Sequence, residues 1–165
     1  LRMSRGLGDV YKRQNLGIKL YDMAYNTADQ TLYGVTDAGN LVRIDKLTGQ
    51  CTDLGQIGVA TNTLACDDMG TFYCLDCTSE TGDLYTFTTE SFGEPALVGQ
   101  TGNKMTDRQS LAWNPNDGAL YWCWFVETIY QFEYEGQVYS WSERKENLCR
   151  VDPTTAHTEL SLIHI

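Results

Sequence analysis

One unit of sequence recurs three times in this chain, and that recurrence restricts the fold more than any other feature. In residues 23–55 (MAYNTADQTLYGVTDAGNLVRIDKLTGQCTDLG) four short apolar runs alternate with turn residues. Met23-Ala24-Tyr25 is followed by a polar turn, then by Leu32-Tyr33-Gly34-Val35, by Asp37-Ala38-Gly39-Asn40, by residues 41–44 and by the Asp45-to-Gly49 turn. Residues 51–54 close the unit. Gly, Asn and Asp stand where a positive φ or a side-chain-to-backbone turn bond is needed, so each gap predicts a hairpin.

The later sequence overlays this unit. Ala24, Ala65 and Ala112 each sit in an apolar opening run, and Leu32-Tyr33, Phe72-Tyr73 and Leu120-Tyr121 open the second run. The third run is residues 41–45, 84–87 and 148–152. The alanine anchors are 41 and 47 residues apart, within the roughly 40–50 residues that one four-stranded propeller blade occupies. The units are read as about 23–55, 64–99 and 111–160, within a native region of 15–160.

The unit LYGV…G-LVRID…TG resembles the β-propeller blade repeats of many bacterial secreted and surface proteins. The resemblance implies an all-β fold, a partial β-propeller of about three four-stranded antiparallel blades. It also implies an extracellular or cell-surface location. It leaves function open, since propellers host binding modules and enzymes alike. Closed rings use about four to eight blades, and an arc leaves two blade faces in water. The expectation is therefore a piece of a longer protein, whose partners include the remaining blades of its ring.

Residues 1–14 are basic and patternless, and 161–165 break off within a repeat; both are read as non-native or disordered, with a genuine flexible arm as the alternative. Residues 15–22 are read as a link into the first blade, although Ile18 and Leu20 alternating against Lys19 and Tyr21 also fit the outer strand of a preceding blade or an entry strand. Beyond the head, eight basic residues face 21 acidic ones. That balance repels phosphate backbones and argues against nucleic acid as a partner. No run of about 18 apolar residues exists, so no membrane insertion is expected.

Chemical motifs fail one by one. Cys74-Leu75-Asp76-Cys77 is the only C-x-x-C and lacks a second ligand pair for zinc; it reads as strand-filling or disulfide-paired cysteine. Six cysteines permit three bridges but equally suit small core positions. Asp67-Asp68 and residues 114–118 offer hard oxygens for calcium, yet the EF-hand spacing fails and Asx turns need no metal. No nucleophile elbow, zinc helix or phosphate loop occurs. No cofactor or metal is expected.

Two stretches invite contact. The linker from 100 to 110 is longer and more polar than its counterpart at 55–62, and offers Asn103, Asp107 and Arg108; in the shorter one Gln56, Thr61 and Asn62 could reach a ligand over the central funnel. The second is an insertion in the third unit, residues 126–147. There Tyr130, Phe132 and Tyr134 alternate with polar residues, Glu135-Gly136-Gln137 makes a turn, and Val138-Tyr139-Ser140-Trp141 returns. This predicts a hairpin extended beyond its blade, with one aromatic face. Trp122, Trp124 and Phe125, inside the blade, are expected in the core.

Aromatic faces with carboxylate edges suit a sugar or a protein hot spot. The expected function is a non-enzymatic binding or adhesion module for a protein or carbohydrate, through Tyr130, Phe132, Tyr134, Tyr139 and Trp141. The alternative is part of a propeller enzyme, a hydrolase, lyase or quinoprotein-like oxidoreductase, with its catalytic residues on other blades.

Overall fold

The computed structural model describes residues 17–105 and 108–161. Twelve strands form three four-stranded antiparallel sheets, each built from strands adjacent in sequence. The first holds β1 (Leu20–Asn26), β2 (Thr31–Thr36), β3 (Asn40–Ile44) and β4 (Cys51–Gln56). The second holds β5 (Ala65–Cys66), β6 (Phe72–Leu75), β7 (Asp83–Phe87) and β8 (Ala96–Gln100). The third holds β9 (Ser110–Asn114), β10 (Ala119–Tyr134), β11 (Gln137–Val151) and β12 (Thr158–Leu160). These are the three units of the repeat, folded as the blades of a partial propeller.

The opening strands β1, β5 and β9 lie innermost and touch one another. Each sheet is apolar on the face that meets its neighbour. Between the first and second blades Tyr33, Val35 and Leu41 pack on Leu64, Phe72 and Phe87, with Tyr33 edge-on to Phe72 and Phe72 stacked on Phe87. Between the second and third, Leu75 and Leu84 pack on Leu111, Leu120, Trp122 and Val151. Tyr73 stacks on Trp113 across that same junction. Buried apolar area of this kind is the main favourable contribution to such a fold.

The turn chemistry repeats as faithfully as the core. Tyr33 donates its hydroxyl to Asp29 Oδ2 at 2.7 Å, Tyr73 to Asp67 Oδ2 at 3.4 Å and Tyr121 to Asp117 Oδ2 at 2.7 Å. In the first two turns the other carboxylate oxygen accepts a backbone amide, from Thr31 in one and from Met69 and Thr71 in the other. Asp67 is thus held by its own turn, and among the described residues no group of three or more His, Cys, Asp or Glu could hold a metal ion. Burial first, and then the neighbouring carboxylate, push the Tyr33 and Tyr73 hydroxyls up to about 12.

Two expectations need correction. Residues 20–22 are no link but the start of β1, so the first blade opens three residues before Met23. A register shift falls between Leu20 and Asp22, at the start of this strand's pairing with β2. Secondly, of the three rings expected in the core, Trp122 is fully buried and Trp124 packs partly on the second junction, but Phe125 joins neither cluster. It sits half-buried at the base of the extension under the Arg144 guanidinium, 4.5 Å from the ring centroid.

Candidate functional site

Antiparallel order brings the second-to-third strand turns and the blade-to-blade linkers to one end of the sheets, and the groups picked out in the sequence collect on this rim. A cleft of about 650 Å³ opens there. Its walls come from the β2–β3 turn (Asp37, Ala38, Gly39), the first linker (Gln56 and residues 58–62), Cys77 after β6, and Met105 and Arg108 of the second linker, with Tyr21 at the head of β1. Gly39 and Gly58 carry positive φ of 77° and 95°. At Gly58 the backbone of Gly93 also occupies the place of a Cβ, so no side chain fits there.

The cleft holds both signs of charge. Arg108 stacks on Tyr21 with its guanidinium carbon 4.7 Å from the ring centroid, and Asp37 Oδ2 lies 3.7 Å from Lys19 Nζ. Thr61 donates its hydroxyl to the Thr63 carbonyl at 3.1 Å. Asn62, only 7% exposed, has a buried Oδ1 with no hydrogen-bond partner among the described residues. A buried polar atom left unpaired costs about 1–3 kcal/mol. Burial, and then Asp76, push the Cys77 thiol up, which disfavours its thiolate. Cys74 is fully buried in β6 and pushed up to about 12 by burial. All six cysteines are free thiols, so this C-x-x-C holds no bridge and fills its blade.

The second-to-third strand connection that is a short turn in the first blade is, in the third, a ribbon. β10 and β11 stay paired from Leu120↔Val151 to Tyr134↔Gln137. Glu135 and Gly136 turn it with φ of 51° and 75°, the two-residue turn whose twist suits a hairpin. On one face Tyr130 stacks on Trp141 and Phe132 on Tyr139, each pair with centroids 5.1 Å apart. Phe132 also meets Trp141 edge-on. Tyr130 donates to Glu143 Oε2 at 3.2 Å, which with the Glu143 charge raises its hydroxyl pKa. Tyr134 extends the row opposite Gln137 and is 59% exposed. All five aromatic residues chosen from the sequence are thus brought together on one exposed face.

The linker residues fare differently. Arg108 enters the cleft. Asn103 does not: its amide donates to the Thr101 carbonyl and its backbone N–H to Thr101 Oγ1, which closes a turn. Asp107 lies outside the described residues. The same linker is fastened to the ribbon's base, because Gln109 Nε2 donates to the Phe125 carbonyl and Trp124 Nε1 to the Lys104 carbonyl, both at 3.0 Å.

One further residue escaped the sequence reading. Asp22 Oδ2 accepts the backbone N–H of Leu64 at 3.0 Å and of Leu111 at 3.2 Å, while Oδ1 accepts that of Met23. Ser110 Oγ stands 3.5 Å from Oδ1. A single carboxylate therefore ties the innermost strands of all three blades. Burial nevertheless outweighs these bonds and raises its pKa above the usual 3.8. The signal was available: two places before each anchor alanine the repeat carries Asp22, Thr63 and Ser110, polar in every copy.

Fold and rim together define an all-β repeat protein of four-stranded blades with a cleft and an aromatic arm at one end. The chain belongs to the family described as a repeat of unknown function (DUF6923), whose profile matches residues 21–161. Among solved structures it is similar to a crystal structure at 1.70 Å of a protein of unknown function from Bacteroides thetaiotaomicron VPI-5482. The TM-score is 0.50 at 15% identity, over 87% of this chain and 31% of that one. The likeness is one of fold, and this chain spans under a third of its neighbour's length. No curated protein matches the chain.

Proposed function

We propose that this chain is a non-enzymatic binding module of a bacterial secreted or cell-surface protein, and that the ribbon of the third blade is its adhesive element. The observation that carries this reading is the exposed aromatic row of Tyr130, Phe132, Tyr134, Tyr139 and Trp141. A two-stranded ribbon standing off its sheet is marginal in water by itself. Cross-strand ring pairs, each contributing about 0.5–1.5 kcal/mol, hold it in shape. Ordering such rings in advance lowers the entropic cost of capture, and large exposed aromatics mark interaction surfaces.

The occupant that suits it best is a protein surface. In each stacked pair the rings turn one face to each other and leave edges and outer faces, which interdigitate with side chains better than they form one flat sugar platform. Five glutamates against one arginine and one lysine between 126 and 147 favour a basic partner. The test uses the whole chain on a protein array and a glycan array, beside the variant Tyr130→Ala/Phe132→Ala/Trp141→Ala. Protein capture that the variant loses while its unfolding midpoint holds supports the reading. Capture unchanged by the variant, or confined to glycans, ends it.

A further inference from the structure

The rim of the third blade carries an open sheet edge. We propose that the edge of β10 beyond Trp124 takes up an extended, basic segment of a partner protein as an added antiparallel strand. This inference rests on the adhesive reading of the ribbon and names how its partner is held.

The pairing fixes which backbone groups point outward. β10 leaves β9 at Cys123↔Ser110, and from Trp124 to Tyr134 its one strand partner among the described residues is β11. Tyr134 and Gln137 close a two-residue hairpin, and such a closing pair exchanges both of its N–H···O bonds. Even-numbered residues of β10 therefore turn their backbone toward β11, and odd-numbered ones turn theirs away. Two bonds at the base agree with this phase: the Phe125 carbonyl accepts from Gln109 Nε2, and on the opposite edge the Leu148 carbonyl accepts the Ser161 amide. Above that point Glu127, Ile129, Gln131 and Glu133 present N–H and C=O groups along one line. None of the four has a backbone partner on that side among the described residues.

Folded proteins blunt such edges with lysine, proline or a bulge. Residues 126–134 (VETIYQFEY) hold no Lys, Arg, Pro or Gly, and β10 pairs with β11 without a register shift. Ile129, in the middle of the line, is 64% exposed. A bare edge of this kind is a template for strand addition, in which main-chain bonds hold the partner and alternate side chains select it.

Charge chooses the occupant. From 124 to 134 β10 carries Glu127 and Glu133 and no basic residue, whereas β11 from 137 to 147 balances Glu143 and Glu146 with Arg144 and Lys145. Arg144, directly opposite Glu127, lies over the Phe125 ring instead. Neither Glu127 nor Glu133 forms an ion pair among the described residues. Both carboxylates stand on one face, with Ile129 and Gln131 between them. An incoming antiparallel strand thus meets them with basic residues at its first and seventh positions, while its second, fourth and sixth lie beside the aromatic row. A second copy of β10 fits poorly: paired with itself about Tyr130 it sets Glu127 against Glu133 of the other copy, and like charges directly opposite are destabilising.

The probe is the capped heptapeptide Lys-Val-Thr-Val-Val-Thr-Lys, titrated against the whole chain by fluorescence anisotropy. Saturable binding is expected, weakened about tenfold or more when the third and fifth amides, which face β10, are N-methylated. N-methylation of the fourth, which points away, should leave the affinity within about twofold. Exchange of both lysines for glutamates should abolish binding. Gln131→Pro removes one outward N–H, keeps the pairing with β11 and the aromatic row, and should lose the peptide; if its ribbon misfolds, the N-methylated peptides on the parent decide alone. On the protein array, capture lost by the Tyr130/Phe132/Trp141 triple variant but kept by a folded Gln131→Pro overturns strand addition and leaves the adhesive reading standing. Capture kept by the triple variant ends both. No binding of the peptide, equal loss from N-methylation at the facing and the averted amides, or a dimer of the chain that Gln131→Pro dissolves also overturns the proposal.

Discussion

The connection between second and third strands is built twice in opposite ways. In the first blade it is the turn from Thr36 to Asn40, whose Gly39 amide bonds the Thr36 carbonyl and whose Asn40 amide bonds Thr36 Oγ1. In the third it is the ribbon. Yet the strands below keep the same pairing, Leu32↔Ile44 in one and Leu120↔Val151 in the other. The difference teaches that the blade frame is fixed by its inter-sheet cores and inner strands, and that the rim end of each hairpin is left to other uses.

Two tryptophans separate frame from ribbon most sharply. Trp122 is fully buried at the second junction, and Trp122→Ala should cost about 3–5 kcal/mol of stability, read as a lowered urea midpoint. Asp22→Ala comes next: it strands the buried amides of Leu64 and Leu111 and should cost about 1–3 kcal/mol for each, with the three blades losing cooperativity in hydrogen exchange. If either change leaves the midpoint untouched, the division between frame and rim is wrong.

Acid titration sharpens the same division. Burial raises the folded pKa of Asp22, so its contribution to stability is fully present below 3.8 and is lost as pH rises through the raised value. Asp45 and Asp152, lowered by hydrogen bonds from their own turns, and Asp117, lowered first by Tyr121, act in the opposite sense. Their contribution is present above 3.8 and is lost as pH falls through the depressed values. The stability of Asp22→Asn relative to the parent should therefore rise as pH climbs from 3.5 to 7, measured as urea midpoints; a flat difference refutes the assignment. The smallest effect belongs to Trp141→Ala. It removes a ring that is 54% exposed and should leave the global midpoint within about 0.5 kcal/mol, while amides of the ribbon exchange faster.

What the sequence disclosed follows the same line. The anchors Ala24, Ala65 and Ala112 and the alternation of Tyr130, Phe132 and Tyr134 are local, periodic signals, and they located the blades and the arm. Glu135-Gly136 set the arm's register for the same reason. Asp22 was missed because its partners stand 42 and 89 positions away, and a lone polar residue in a strand reads as ordinary alternation. Asn103 misled because a turn amide and a ligand-facing amide are the same residue until the fold shows which neighbour it bonds. The cleft draws on five separate segments at once, of which the sequence marked only the two linkers, through Gln56, Thr61, Asn62 and Arg108.

Because a short corner and a long arm close the same pair of strands without disturbing the pairing beneath, each corner of this kind is a socket. Foreign peptides could be exchanged there much as they are in antibody loops, while the vanes below serve as an inert handle. Descent within such a family then has a cheap way to acquire new specificities, by lengthening one corner at a time.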